Sequence, residues 1–163
     1  MGSAGPLTEA QAAVHELDLE GLAIAAFLEL LVRERSALAG GRMDEVSDLA
    51  AEKEGALAAL SRYGEQRGDR LRRAGYRLDA DGMRAWLAAL AWFPEVASAW
   101  GRVSELARDA RDRNRTNGML VALQMQRTQR QLAFLNRAAS NEPTYSADGV
   151  ARSPVRQRSL GEA

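Results

Sequence analysis

Along the second half of the chain, apolar residues recur in steps of three and four. Val96, Trp100, Val103, Ala107 and Ala110 begin the series, and Val121 and Leu135 continue it. That spacing lays one stripe along one side of an α-helix. From Glu95 to Ala138 there is no proline, and the only glycines are Gly101 and Gly118. The pattern predicts one helix of roughly 65 Å at about 1.5 Å per residue, too long for one small core to cover end to end. Its first half is expected to pack on the rest of the chain and its second half to face a partner. After Ala110 the stripe meets Asn114, Asn117, Gln124, Thr128 and Gln131, while Leu120, Leu123, Leu132 and Phe134 spread over other faces. Polar groups on a packed seam need hydrogen-bond partners, and a buried asparagine can fix the register between helices. Asn117-Gly118 is also a turn signal, but the helical pattern on both sides favours continuation.

Two further helices precede it. Thr8 with Gln11 fits a capping box at a helix start. From Leu17 the pattern is clearer: Leu19, Leu22, Ala26, Phe27, Leu30, Leu31 and Leu38 fall on a broad face, with Glu20, Glu29, Arg33 and Arg35 mostly opposite. This reads as a core-facing amphipathic helix, ended by Gly40-Gly41. A second helix follows, with Asp44 as its expected N-cap. Its stripe is Met43, Val46, Leu49, Ala50, Leu57, Leu60 and Leu71. The short glycine connection implies an antiparallel hairpin. Lys53 falls on that stripe and is expected to lay its stem on the core with its charge in water. Arg67, Arg70, Arg72 and Arg73, interleaved with Glu65 and Asp69, read as a solvated helix end, and Gly75 stops the helix. Asp79-Ala80-Asp81-Gly82 looks like the opening of a calcium loop, but its twelfth position is Leu90, where a bidentate glutamate is needed. It is better read as the N-cap of a short helix through Met83, Trp86, Leu87, Leu90 and Ala91. Pro94 either kinks the chain or opens the long helix. Trp86, Trp92 and Trp100 are expected to anchor the core together, with a ligand pocket as the sharper alternative.

Composition narrows the function more than the fold. The 163 residues suit one ordinary domain. The 22 basic residues are balanced by 22 acidic ones, so nucleic acid is not the default partner. There is no cysteine and only one histidine, His15, which removes thiolate catalysis, cysteine-bound zinc and any histidine cluster. No phosphate loop, dinucleotide fingerprint or nucleophile elbow occurs. No catalytic, cofactor-binding or metal site is therefore expected. No apolar run approaches the ~20 residues of a membrane span, and the start lacks the pattern of a signal peptide, so a soluble cytoplasmic protein is expected. Beyond Ala139, residues such as Asn141, Pro143, Ser146, Gly149 and Pro154 cannot bury a core. The expected organisation is a helical domain over 1–138 and a flexible tail over 139–163, with Tyr145 and Val150 as the tail's few sticky residues. The fold class is all-α: an antiparallel helical hairpin packed against a long third helix.

Several elements then stand in a familiar order. The first helix carries Leu30-Leu31, Glu34-Arg35 and Ala37-Leu38. The second carries Asp44, Leu49, Lys53, Leu57 and Leu60, then Arg67, Leu71 and Gly75. Trp100 is followed by Asn114-x-x-Asn117-Gly118, and the tail holds Tyr145-x-x-Asp148-Gly149. In this the chain resembles the FlgN family of flagellar type III export chaperones. The resemblance implies a small cytoplasmic helical chaperone without enzymatic activity. Its clients would be the hook–filament junction proteins FlgK and FlgL, and its docking protein at the export gate would be FlhA. On that footing Leu120, Leu123, Leu132 and Leu135 are the candidate client-binding residues, and Tyr145 is a candidate contact to client or gate. The alternative is a structural coiled coil that self-associates, as a homodimer, through the same helix.

Overall fold

The computed structural model describes residues 5–140. Four helices follow one another: α1 (Pro6–Ala39), α2 (Met43–Arg73), α3 (Ala80–Ala89) and α4 (Pro94–Ser140). The chain divides into two compact units, residues up to Val121 and residues from Ala122 on.

In the first unit, α1 begins earlier than its capping box suggested. Gly5 is the N-cap and makes no side-chain cap, and Pro6 opens the helix with a backbone angle already suited to it. Thr8 therefore lies inside the first turn. The buried positions of α1 are Ala10, Ala13, Leu17, Glu20, Ile24, Phe27, Leu31, Glu34 and Leu38, together with Ala37. The first nine form an unbroken 3-4 series, as in a coiled-coil seam. Leu19 and Leu22 are exposed, so the broad face read from the leucines is rotated away from the true seam. Two glutamates stand on that seam, and cations from α2 neutralise both.

The α1–α2 turn is closed by the backbone. The Arg42 N–H donates to Ala37 O at 2.9 Å and the Gly41 N–H to Leu38 O at 3.2 Å. Gly41 takes a φ of +68°, which glycine adopts without a Cβ clash. Asp44 does not cap α2; Arg42 holds that position, and Asp44 and Glu45 sit in the first turn, where negative charge suits the helix dipole. Cross-links between the two helices run in opposite order along them: Arg33 with Glu52, Lys53 with Glu34, Arg67 with Glu20, Arg70 with Glu16. The hairpin is thus antiparallel. Leu49 and Leu71 are buried, whereas Met43 and Leu57 are exposed.

The basic end of α2 is not simply solvated. Arg70 is buried and pairs with both Glu9 and Glu16. Burial works to lower its pKa, but hydrogen bonds and charge from Glu16 and Glu9 raise it above the ordinary arginine value. Arg67 pairs with Glu20 and lies 5.1 Å from the centroid of the Trp100 ring, a cation–π distance. Arg72 and Arg73 remain exposed.

Asp79 does cap α3: its Oδ1 accepts the Gly82 N–H at 2.8 Å. That bond, helped by the charge of Arg77, holds the Asp79 carboxyl below its ordinary pKa. Gly82 is buried so tightly that a Cβ there would collide with the Arg77 backbone. Met83 and Trp86 project from α3 into the core. The tryptophans do not cluster as expected. Trp86 is 3% exposed and Trp92 is 91% exposed, while Trp100 is half-buried. Trp92 falls in the turn between α3 and α4, where no helix covers it.

Pro94 opens α4, which contributes Val96, Ala99, Val103 and Ala110 to the core. Arg102 reaches Asp18 at 2.7 Å, and Asn117 reaches the backbone of Leu31. Numbers rise together on both helices, so in this unit α4 runs parallel to α1 and antiparallel to α2. The result is an up-down-up bundle with α3 joining its core. The second unit holds Ala122–Ser140 of α4. Of the tail expected over 139–163, Ala139 and Ser140 still belong to α4, and the rest, including Tyr145, lies outside the described residues.

Candidate functional site

Two features follow from this framework, a buried polar junction and an exposed apolar stretch. The junction is built from three helices. Glu34 of α1 is buried and receives the Lys53 ammonium of α2 at 2.9 and 3.1 Å, one distance to each carboxylate oxygen. Asn117 of α4 is 1% exposed. Its Nδ2 donates to Glu34 Oε2 and to Leu31 O, both at 2.8 Å. Lys53 therefore does not hold its charge in water, as the sequence suggested; it neutralises a buried carboxylate. No buried side-chain nitrogen or oxygen among the described residues lacks a partner. A satisfied network of this kind is worth having only in one alignment of the helices, since any slip would bury an unpaired charge. The register role expected of a buried asparagine is thus given a seat. After Asn117 no described residue of α4 is buried.

The exposed stretch belongs to the second unit. Leu123, Leu132 and Leu135 are all exposed, whereas Leu120 belongs to the first unit and is half-buried. Two neighbours in the second unit carry as much apolar surface: Met125, and Phe134 at 72% exposure. At about 100° per residue, Leu123 and Phe134 share one side of the helix and Met125 and Leu132 the other, with Leu135 between them at the edge of the groove that Leu123 and Phe134 line. The four chosen leucines are therefore not one face. A helix that is apolar on two sides is of the kind usually buried. The sequence already spread these residues over several faces; what it did not pick out is the pairing of Leu123 with Phe134, eleven residues or about three turns further on.

Among the described residues no group of three acidic or histidine side chains could hold a metal ion. His15 is exposed on α1. No helix among the described residues is long and apolar enough to cross a membrane.

Comparison with known proteins adds one finding. The model of the family described as FlgN protein matches residues 8–153. No curated protein and no solved structure matches the chain. The matched span takes in all three helices of the bundle, the polar junction and the exposed stretch, and FlgN is a chaperone family rather than an enzyme family. The chain belongs to the FlgN family of flagellar export chaperones.

Proposed function

We propose that this chaperone covers the hook–filament junction proteins FlgK and FlgL in the cytoplasm and hands them to the export gate through FlhA. The client would pack on the last part of α4. Leu123, Leu132 and Leu135, with Leu120 one turn before them, are its contacts, and Tyr145 is a further contact to client or gate. One observation carries the reading. Leu123, Met125, Leu132, Phe134 and Leu135 all stand exposed within about four turns of one helix. Fully burying each such side chain is worth about 1.5–3 kcal/mol, enough to hold a client segment. An export chaperone must also let go, and burial in the client complex is lost when the client leaves, without disturbing a core that Asn117 already closes.

The test is co-purification of the full chain with FlgK and with FlgL, sized by light scattering, for the native sequence and for the Leu123→Asp/Leu132→Asp double variant. The native chain is expected to form a defined complex. The double variant should lose it while keeping its helical content. Retained binding by a folded double variant would place the client elsewhere. Tyr145→Ala is expected to lower export with helicity unchanged.

A further inference from the structure

Resting on the reading that a partner helix covers this stretch, the chemistry of its arginines names what kind of helix it is. Between Asp112 and Glu142 the chain contains no carboxylate side chain. In the second unit's described part the only charged residues are Arg127, Arg130 and Arg137. They are not scattered around the helix. Leu123, Arg127, Arg130, Phe134 and Arg137 follow one another in steps of four and three, which places them on one strip. A shallow groove on this strip is lined by Leu123, Arg127, Arg130 and Phe134 among others. In the first unit Arg33, Arg67, Arg70, Arg102 and Arg113 each lie against a carboxylate, while others, such as Arg62 and Arg108, form no ion pair but have acidic residues near them in sequence. No ion pair forms at Arg127, Arg130 or Arg137 among the described residues.

We infer that the segment seated on this strip is an acidic amphipathic helix of the client. Its apolar residues cover Leu123 and Phe134, and its carboxylates pair with Arg127, Arg130 and Arg137. Guanidinium forks match carboxylates in a two-bond geometry, and the strip sets its two apolar residues, Leu123 and Phe134, among three arginines, which suits a partner helix whose apolar stripe is accompanied by carboxylates. A second copy of this chain fits poorly, because its own strip would set arginine against arginine. A lipid surface also fits poorly, since a helix lying on a membrane keeps one side polar, and here Met125 and Leu132 occupy the other side.

The experiment uses the full chain and three labelled helical peptides with the same leucine stripe, flanked by Glu, by Gln or by Lys, with binding read by fluorescence anisotropy. The Glu-flanked peptide is expected to bind about tenfold tighter than the Lys-flanked one at low salt, the product of three exposed pairs each worth about twofold. High salt should shrink that gap, and Arg127→Gln/Arg130→Gln/Arg137→Gln should remove it. Equal binding of the three peptides, or preference for Lys, overturns the inference. So does capture by anionic phosphatidylglycerol vesicles with no peptide preference, which makes the occupant a lipid surface. A homo-oligomer dissolved by Phe134→Asp, with no peptide preference, makes the occupant a second copy and overturns it equally. The underlying reading is judged separately by Leu123→Asp/Leu132→Asp. If that variant loses FlgK and FlgL while the peptides show no charge preference, the surface stands and the acidic partner falls.

Discussion

Leu31 and Leu132 are the same residue near the C-terminal ends of long helices, yet one is 1% exposed and the other 54%. The two regions around them invert the usual rule. The first unit hides polar groups, with Glu20, Glu34, Arg70 and Asn117 all buried. The second unit displays apolar ones. Hidden charge is tolerable in the first because every buried group has found a partner, and the need for those partners selects one helix register. Displayed leucines are tolerable in the second only as unfinished packing. The contrast teaches that a helix's formation and its burial are separate matters. One part of α4 completes a core inside its own chain, and the other leaves its apolar residues exposed.

The comparison can be broken most forcefully at its two leucines. Leu31→Ala is expected to cost about 2–5 kcal/mol of stability through lost burial and a cavity, and Leu132→Ala within about 0.5. Urea denaturation followed by circular dichroism measures both, and equal losses would erase the distinction between the regions. Next comes the polar junction. Glu34→Ala leaves Lys53 unpaired and removes one of the two acceptors of Asn117, a loss of about 1–3 kcal/mol. A double-mutant cycle between Glu34 and Asn117 should return a coupling of about 1 kcal/mol; zero coupling would reduce the junction to coincidence. Asn117→Leu should leave stability nearly intact but loosen the register, seen as broadened amide spectra or mixed masses in sedimentation. The smallest effect lies at the α3 cap. The folded pKa of Asp79 is lowered, below an unfolded value of about 3.9. Its contribution is therefore present above that pH and is lost as pH falls through the lowered folded value. Asp79→Ala should thus lie below the native protein at pH 7 and converge with it in acid.

Much of this was legible from residue spacing. Gly40-Gly41 marked the hairpin turn because a left-handed residue is needed there, and Asp79 marked α3 because its carboxylate fits the free N–H of Gly82. The passage of α4 through Asn117-Gly118 was legible because apolar spacing continues on both sides. The seam of α1 was not. Its 3-4 series runs through Glu20 and Glu34, which pattern reading assigns to solvent. Only the partners Arg67, Lys53 and Asn117, distant in sequence, make those positions interior. Trp92 misled for the converse reason: three tryptophans close in sequence need not be close in packing. At the candidate site, the leucines were picked by residue type. The strip that joins Leu123 to Phe134 through Arg127 and Arg130 appears only when the polar residues are kept in the count.

The scattering of the tryptophans leaves the protein with its own set of optical reporters. Trp86 is enclosed by the core and should emit in the blue and resist acrylamide. Trp92 stands in water and should emit in the red and be quenched freely. Trp100 lies beneath the Arg67 guanidinium, and its signal will follow the contact between α2 and α4. Emission colour and quencher access can therefore distinguish melting of the bundle from events confined to the exposed end of α4, where there is no tryptophan at all. A client that docks there without disturbing the bundle would leave all three lamps unchanged.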